Sequence, residues 1–225
     1  ENYYKDKLVQ TIEFINHSFK SKNNLLGSAY DADSEGVEGK FFVWTPEEVE
    51  QILGQAEAKI FCDFYDITDQ GNFEHKNILW IKTPVDLYIK KTNINQTDLL
   101  NILDRSKKKL FDVRDKRIKP GLDDKILTSW NGLMIRGFAD AGRGLKNDDY
   151  VKTAQLAARF VLEKLRTKEG RLLRTYGKGQ AKLNAYLNDY AFFVDGLIAM
   201  HQATGDAAWL READRLTQKQ LELFW

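Results

Sequence analysis

Four consecutive segments in the last hundred residues carry apolar side chains every three or four positions. This spacing is typical of amphipathic α-helices, so we predict four helices here. The residues that define the four faces are Ile126, Trp130, Met134 and Phe138; Tyr150, Ala154, Ala158 and Val161; Leu187, Tyr190, Val194 and Leu197; and Leu210, Ala213, Leu216 and Leu223.

The four predicted helices form two copies of one unit. Matching residues lie 59 positions apart (196 − 137) in the pairs Gly137 and Gly196, Tyr150 and Trp209, and Ala154 and Ala213. A period of this length fits a helix hairpin with its connection. The pattern therefore predicts stacked hairpins whose equivalent turns lie at the same end.

The first half of the chain gives two further helix predictions with clear breaks. Helical spacing runs from about residue 3 to 19 and is broken by Asn23, Asn24 and Gly27. A second helix is predicted from Thr97 to about Arg114, because Lys119-Pro120-Gly121 ends the pattern there.

Shorter elements are predicted between these two helices. Lys40–Trp44 and Asn77–Lys82 are β-prone and predict two short strands. Thr45 with Glu48 forms a capping-box sequence that predicts a helix up to Gly54, and another short helix is predicted from Ala56 to Tyr65.

Together these elements predict an all-α fold, a partial (α/α)6 toroid of antiparallel helix hairpins with short β-hairpin insertions in its loops. A closed ring needs twelve helices, and about eight are predicted, so we expect one partial toroid domain over residues 1–225. Because the chain starts at Glu1 and ends at Trp225 inside helical patterns, we expect an internal part of a longer protein.

Composition narrows the classes of function. The net charge of +1 gives no support for nucleic-acid binding, and no run of 18 apolar residues predicts a membrane span. Cys62 is the single cysteine, so neither a disulfide nor a CxxC pair can form within the chain. With no signal peptide, we expect a cytoplasmic location.

Several motifs resemble one known family in their order and spacing. They are Ser28-Ala29-Tyr30-Asp31-Ala32-Asp33-Ser34-Glu35-Gly36, Glu38-Gly39-Lys40-Phe41-Phe42-Val43-Trp44-Thr45, Leu122-Asp123-Asp124-Lys125-Ile126-Leu127-Thr128-Ser129-Trp130-Asn131-Gly132-Leu133-Met134 and Asp189-Tyr190-Ala191-Phe192. The family is that of the spermatogenesis-associated, thioredoxin-domain-containing proteins.

This resemblance implies an N-terminal thioredoxin-like domain followed by a six-hairpin toroid, similar to that of N-acylglucosamine 2-epimerases and glycoside-processing enzymes. The thioredoxin-like domain is absent from these residues and would be a partner within the same chain. By analogy alone, the ligand would be a sugar or sugar derivative.

The densest group of carboxylates, Asp31, Asp33, Glu35 and Glu38, is a candidate catalytic loop. Crowded carboxylates raise one another's pKa, as acid–base work on a sugar requires. A cation site is an alternative, but Phe42 stands where a calcium loop needs its bidentate glutamate. A solvated turn is the third interpretation.

A second group lies at the starts of repeat helices. Asp123 and Asp124 are candidate catalytic carboxylates, with helix capping as the alternative. Trp130-Asn131 aligns with Asp189-Tyr190 under the 59-residue shift, and aromatic rings beside polar groups suit sugar rings. The predicted substrate-binding residues are Tyr30, Trp130, Asn131, Asp189 and Tyr190, with plain core packing of the tryptophan and tyrosine side chains as the alternative.

No cofactor and no metal site are predicted. No strand is followed by GxGxxG, so a dinucleotide site has no support. His201 is interpreted as a core histidine, with a catalytic role as the alternative. The sequence thus leaves two functions open: a carbohydrate-active enzyme related to epimerases or glycoside-processing enzymes, or a non-catalytic scaffold or binding module serving the thioredoxin-like domain.

Overall fold

The computed structural model describes residues 2–21 and 25–225. Within them the helices are α1 (Asn2–Ser18), α2 (Pro46–Leu53), α3 (Gln55–Tyr65), α4 (Val85–Thr92), α5 (Gln96–Arg114), α6 (Thr128–Leu145), α7 (Asp148–Lys164), α8 (Leu187–Thr204) and α9 (Ala207–Phe224). The strands are β1 (Ala29–Tyr30), β2 (Asp33–Ser34), β3 (Val37–Glu38), β4 (Leu122–Asp123), β5 (Ile126–Leu127), β6 (Leu173–Gly177) and β7 (Gln180–Asn184). The predicted fold class, all-α hairpins with short β insertions, is confirmed.

The chain divides into two compact units. The first consists of Glu1–Tyr30 with Leu122–Trp225, and the second is Asp31–Gly121. Each unit has its own buried apolar cluster. The prediction of one domain over residues 1–225 stays a prediction, and the predicted break at Asn23 and Asn24 lies outside the described residues.

The 59-residue repeat is visible in the first unit. Helices α8 and α9 begin 59 residues after α6 and α7 (187 against 128, and 207 against 148). Helix α6 packs on α8, and α7 and α9 each pack on their own hairpin partner, as in consecutive hairpins of an α/α toroid. Arg136 on α6 forms an ion pair with Asp195, its repeat equivalent on α8, so the two helices lie in register.

Helices α6 and α8 approach closely because glycines lie at their contact. A Cβ atom built on Gly132 would lie 2.6 Å from the backbone carbon of Phe192, and one on Gly196 would lie 2.8 Å from the carbonyl oxygen of Gly132. Buried Ile135, Phe193 and Leu197 surround this contact. Only glycine allows the two backbones to come this near.

The second unit packs α2, α3 and α5 together around buried Phe61 and Leu99. Helix α2 begins as the sequence predicted: the Thr45 hydroxyl accepts from the Glu48 backbone N–H at 3.2 Å, and the Glu48 carboxylate accepts from the Thr45 backbone N–H at 3.1 Å. This reciprocal pair satisfies two N–H groups that the helix leaves free.

The two strands predicted at Lys40–Trp44 and Asn77–Lys82 are wrong. The segments meet only through one isolated bridge between Trp44 and Asn77. The guanidinium of Arg117 donates to the carbonyls of Phe41 and Val43 at 3.0 and 2.8 Å, so these oxygens are already engaged rather than free to extend a strand ladder.

The structure also contains a helix that the sequence analysis missed. Helix α4 begins directly after Pro84 and ends where Asn93 adopts a left-handed conformation, with φ of 58°. Its packed face consists of buried Tyr88 with half-buried Val85 and Ile89, so the helical spacing was present in the sequence but covers only eight residues.

We predict that Gly132→Ala lowers the free energy of unfolding by about 1–3 kcal/mol, because the added methyl group overlaps the backbone of α8. The matched control is Gly137→Ala on the same helix, where a Cβ meets no atom within 4 Å. This control is expected to leave stability unchanged or to raise it by about 0.5–1 kcal/mol through helix propensity. Urea unfolding monitored by circular dichroism measures both, and equal losses would contradict the close contact.

Candidate substrate site at the start of helices α6 and α8

Asp189 joins the first turns of α6 and α8. Its carboxylate is fully buried; Oδ1 accepts from the Ser129 backbone N–H at 3.0 Å, and Oδ2 accepts from the Tyr186 backbone N–H at 2.8 Å and from Arg174 Nη1 at 3.0 Å. Because one carboxylate bonds to the start of both helices, the segments near 130 and 190 lie at the same end of the unit. This buried ion pair is a structural clamp.

Two other predicted substrate-binding residues are also engaged by the fold. The buried side-chain amide of Asn131 accepts from the Leu26 backbone N–H at 3.0 Å and donates to the carbonyls of Leu26 and Leu127 at 3.1 Å each. The hydroxyl of fully buried Tyr190 accepts from the Leu172 backbone N–H at 2.8 Å. Both hold loops in place and leave no surface for a ligand.

Trp130 is different, because half of it (50%) is exposed. It lies on the first turn of α6, one residue after Ser129, which bonds to Asp189. Tyr186, the residue before α8, is 59% exposed and its backbone bonds to the same carboxylate. The arrangement therefore presents two aromatic side chains to solvent at one end of the helix pair.

Arg174 is a residue of this end that the sequence analysis missed. It lies on β6, its guanidinium carbon lies 4.6 Å from the centroid of the Tyr186 ring, and it pairs with Asp189. Strand β6 pairs with β5, which leads directly into α6. The position of Arg174 depends on this strand pairing, for which the sequence carries no separate signal.

The carboxylates of Asp123 and Asp124 have different surroundings. The ion pair of Asp123 with Lys125, at 3.0 Å, holds the pKa of Asp123 below its ordinary value, opposite to what a proton-donating acid at neutral pH requires. Asp124 is exposed and has no hydrogen bond or ion pair with any described residue. Of the two, Asp124 is the better candidate for chemistry.

Tyr30 lies beside the segment that carries Asp123. Strand β1 pairs antiparallel with β4, with Ala29 opposite Asp123 and Tyr30 opposite Leu122. The Tyr30 hydroxyl donates to the Ser18 carbonyl at 2.6 Å. Tyr30 thus anchors the end of α1 and is only half-exposed.

The acidic loop belongs to the second unit and forms a tight hairpin. Glu35 and Gly36 both have positive φ, 55° and 73°, as the central residues of a two-residue β-hairpin turn do. Asp33 and Glu38 are opposite each other in β2 and β3, while Glu35 pairs with Lys40 at 2.8 Å and Asp31 accepts from the Asp33 backbone N–H. Asp33 and Glu38 are thus paired across the hairpin, and Glu35 faces a cation.

Among the described residues, no three His, Cys, Asp or Glu side chains are grouped so as to hold a metal ion. His201 lies at the end of α8, where its Nδ1 is 3.1 Å from the Asp206 carbonyl, so the backbone satisfies it. None of the described helices is long and apolar enough to span a membrane.

Comparison with known proteins confirms the resemblance to the spermatogenesis-associated proteins. The chain is 30% identical to human spermatogenesis-associated protein 20 over an alignment that spans the whole chain and 33% of the human protein. The mouse protein is 29% identical, and that alignment also spans the whole chain and 33% of the mouse protein. The chain is homologous to these proteins and spans a third of their length. No family model matches the chain.

Among solved structures, the cellobiose 2-epimerase of Bacillus thermoamylovorans is similar to this chain. The structural alignment covers 97% of this chain and 55% of the epimerase chain. The TM-score is 0.42 and the sequence identity 9%.

We predict that Asp189→Asn lowers the free energy of unfolding by about 3 kcal/mol. The amide carries no charge to pair with Arg174, and its NH₂ group would face at least one of the three N–H donors that the carboxylate now accepts from. Asp124→Asn, at an exposed carboxylate, is expected to stay within about 0.5 kcal/mol of the parent protein. Guanidinium unfolding at pH 7 checks both. An Asp189→Asn protein as stable as Asp124→Asn would show that the clamp is unimportant.

The environment of Cys62 predicts an unreactive thiol. Burial, with a smaller contribution from the charge of Glu50, raises the pKa of Cys62 to about 11. At pH 8 the thiolate population is then about 100-fold lower than for an ordinary cysteine with pKa near 9, and alkylation by iodoacetamide should slow by at least about that factor. The urea-unfolded protein provides the reference rate; equal rates in the two states would contradict this environment.

Proposed function

We propose that this chain is the ligand-binding part of a carbohydrate-processing enzyme, with the sugar contacting the exposed end of α6 and α8. The observation that carries the proposal is the pair of exposed aromatic side chains, Trp130 and Tyr186, held by one buried carboxylate. Large aromatic residues are costly to leave in water, and rigid aromatic faces stack well on the apolar faces of sugar rings.

Polar groups beside these rings suit a neutral, hydroxyl-rich ligand. Arg174 supplies N–H donors next to Tyr186, and the exposed carboxylate of Asp124 lies four residues before α6. Stacking with hydrogen bonds to hydroxyls is how protein sites hold sugars. In this proposal Asp124 is the acid–base candidate of the first unit, and an epimerase-like or glycoside-processing reaction is the expected chemistry. The acidic loop of Asp31, Asp33 and Glu35 stays a candidate of the second unit.

A non-catalytic scaffold is the second candidate function. It is favoured by the way Asp189, Asn131 and Tyr190 are engaged in hydrogen bonds within the fold. In this alternative the hairpins support a thioredoxin-like domain elsewhere in a longer protein, and the exposed aromatic residues contact a protein client.

Trp130→Ala tests the carbohydrate proposal. We expect at least one of glucose, mannose, N-acetylglucosamine and cellobiose to raise the Tm by about 3 °C at a concentration of about ten times Kd. Trp130→Ala should abolish this shift, because it removes the stacking face. The matched control, Trp80→Ala, removes a tryptophan that is similarly exposed (54%) in the second unit and should keep the shift.

Two results would count against the proposal. No shift with any sugar in the parent protein would favour the scaffold, and an equal loss of shift in both tryptophan variants would place the sugar elsewhere. Differential scanning fluorimetry followed by isothermal titration of the responding sugar provides both measurements.

A further inference from the structure

A small cavity in the second unit has the properties of an anion site. Its volume is about 230 Å³, and its wall combines the charged side chains of Glu35, Lys40, Glu48, Lys76 and Arg117 with the apolar surface of Phe41. All of these residues lie within Asp31–Gly121. Sites of similar construction, apolar walls with a few placed polar groups, are typical of small-molecule binding.

The charges on the wall leave one positive charge without a partner. Lys40 pairs with Glu35 at 2.8 Å, and Arg117 pairs with Glu48 at 3.4 Å. Lys76, which is half-buried, has no ion pair with any residue that the structure describes. Three cations against two carboxylates give the cavity a net charge of +1.

Arg117 is held rigidly in this wall. Its Nη1 donates to the carbonyls of Phe41 and Val43 at 3.0 and 2.8 Å, and its guanidinium carbon lies 4.0 Å from the centroid of the buried Trp44 ring. A guanidinium fixed by two carbonyls and an aromatic face loses little freedom when a ligand binds. The cavity is therefore preorganised.

We propose that this cavity binds a small organic monoanion, a carboxylate on a compact polar body. The single unpaired charge of Lys76 matches one negative charge, whereas a phosphate monoester carries about −1.5 to −2 and would be left partly uncompensated. The volume lies below the roughly 300–1,000 Å³ of pockets for drug-sized ligands, so the ligand is of metabolite size. The cavity shares no residue with the aromatic end of α6 and α8, and neither proposal depends on the other.

The test is a titration of the ¹⁵N-labelled protein with glucuronate, shikimate and glucose, followed by amide chemical shifts. We expect at least one of the two carboxylates to give saturable shifts at Phe41, Val43 and Lys76, and neutral glucose to give none there. Lys76→Met should weaken the binding at least tenfold, because it removes the uncompensated charge while keeping the length of the side chain.

Two further variants make the result specific. Lys108→Met removes an exposed lysine of α5 that lies outside the cavity and should leave Kd unchanged. Ile118→Trp keeps every charge but fills the cavity from its edge and should abolish binding. Shifts at residues of the first unit would instead report on the proposed carbohydrate site.

Three outcomes would overturn the proposal. They are no saturable shift from either carboxylate up to about 20 mM, equal affinity in Lys76→Met and the parent protein, and equal binding of glucose at the same amides. Unchanged amide spectra outside the substituted positions would show that each variant is folded.

Discussion

The first unit depends on the backbone contact between α6 and α8. Gly132 and Gly196 let the two helices approach until a single methyl group would overlap the neighbouring backbone. This contact fixes the distance and register between the helices, and the ion pair of Arg136 with Asp195 follows from the same register. Close-packed interiors deform little. The contact between the two helices therefore also fixes where the residues of their first turns lie relative to one another.

The contact also explains why the predicted site residues divide into two groups. At the start of α6 and α8 the backbones leave free N–H groups, which must be satisfied where they are buried. Asp189 serves this purpose, and Asn131 bonds to the backbone of Leu26 and Leu127, so both residues are structural. Trp130 and Asp124 lie beside them but face solvent, so they can meet a ligand. The same short motifs thus contain both the buried residues that stabilise the helix starts and the exposed residues that could contact a ligand.

The sequence predicted most of the helical architecture. Helices α6 to α9 follow from periodicity, and the Thr45 capping box predicted the start of α2. The strands expected at Lys40–Trp44 and Asn77–Lys82 were wrong because strand formation depends on available partners. In the first segment Arg117, distant in sequence, bonds to the carbonyls of Phe41 and Val43.

The site was less predictable than the fold. Residue type and spacing identified Asp189 and Tyr190 as polar or aromatic groups at a helix start, but burial decides their role and cannot be read from spacing. Arg174 was missed because its position follows from the pairing of β6 with β5. The unshared charge of Lys76 likewise appears only when the neighbouring ion pairs are known.

The Asp189 clamp has a consequence for which molecules can approach this end of the unit. The N-termini of two helices each carry a partial positive charge of about half an elementary charge, which would ordinarily attract anions. Here the carboxylate of Asp189 faces both helix starts together with Arg174, so its single negative charge offsets part of this positive charge inside the protein. The exposed surface above them therefore attracts phosphates and acids less than two uncapped helix starts would, and discrimination at this end rests more on shape and hydroxyl geometry.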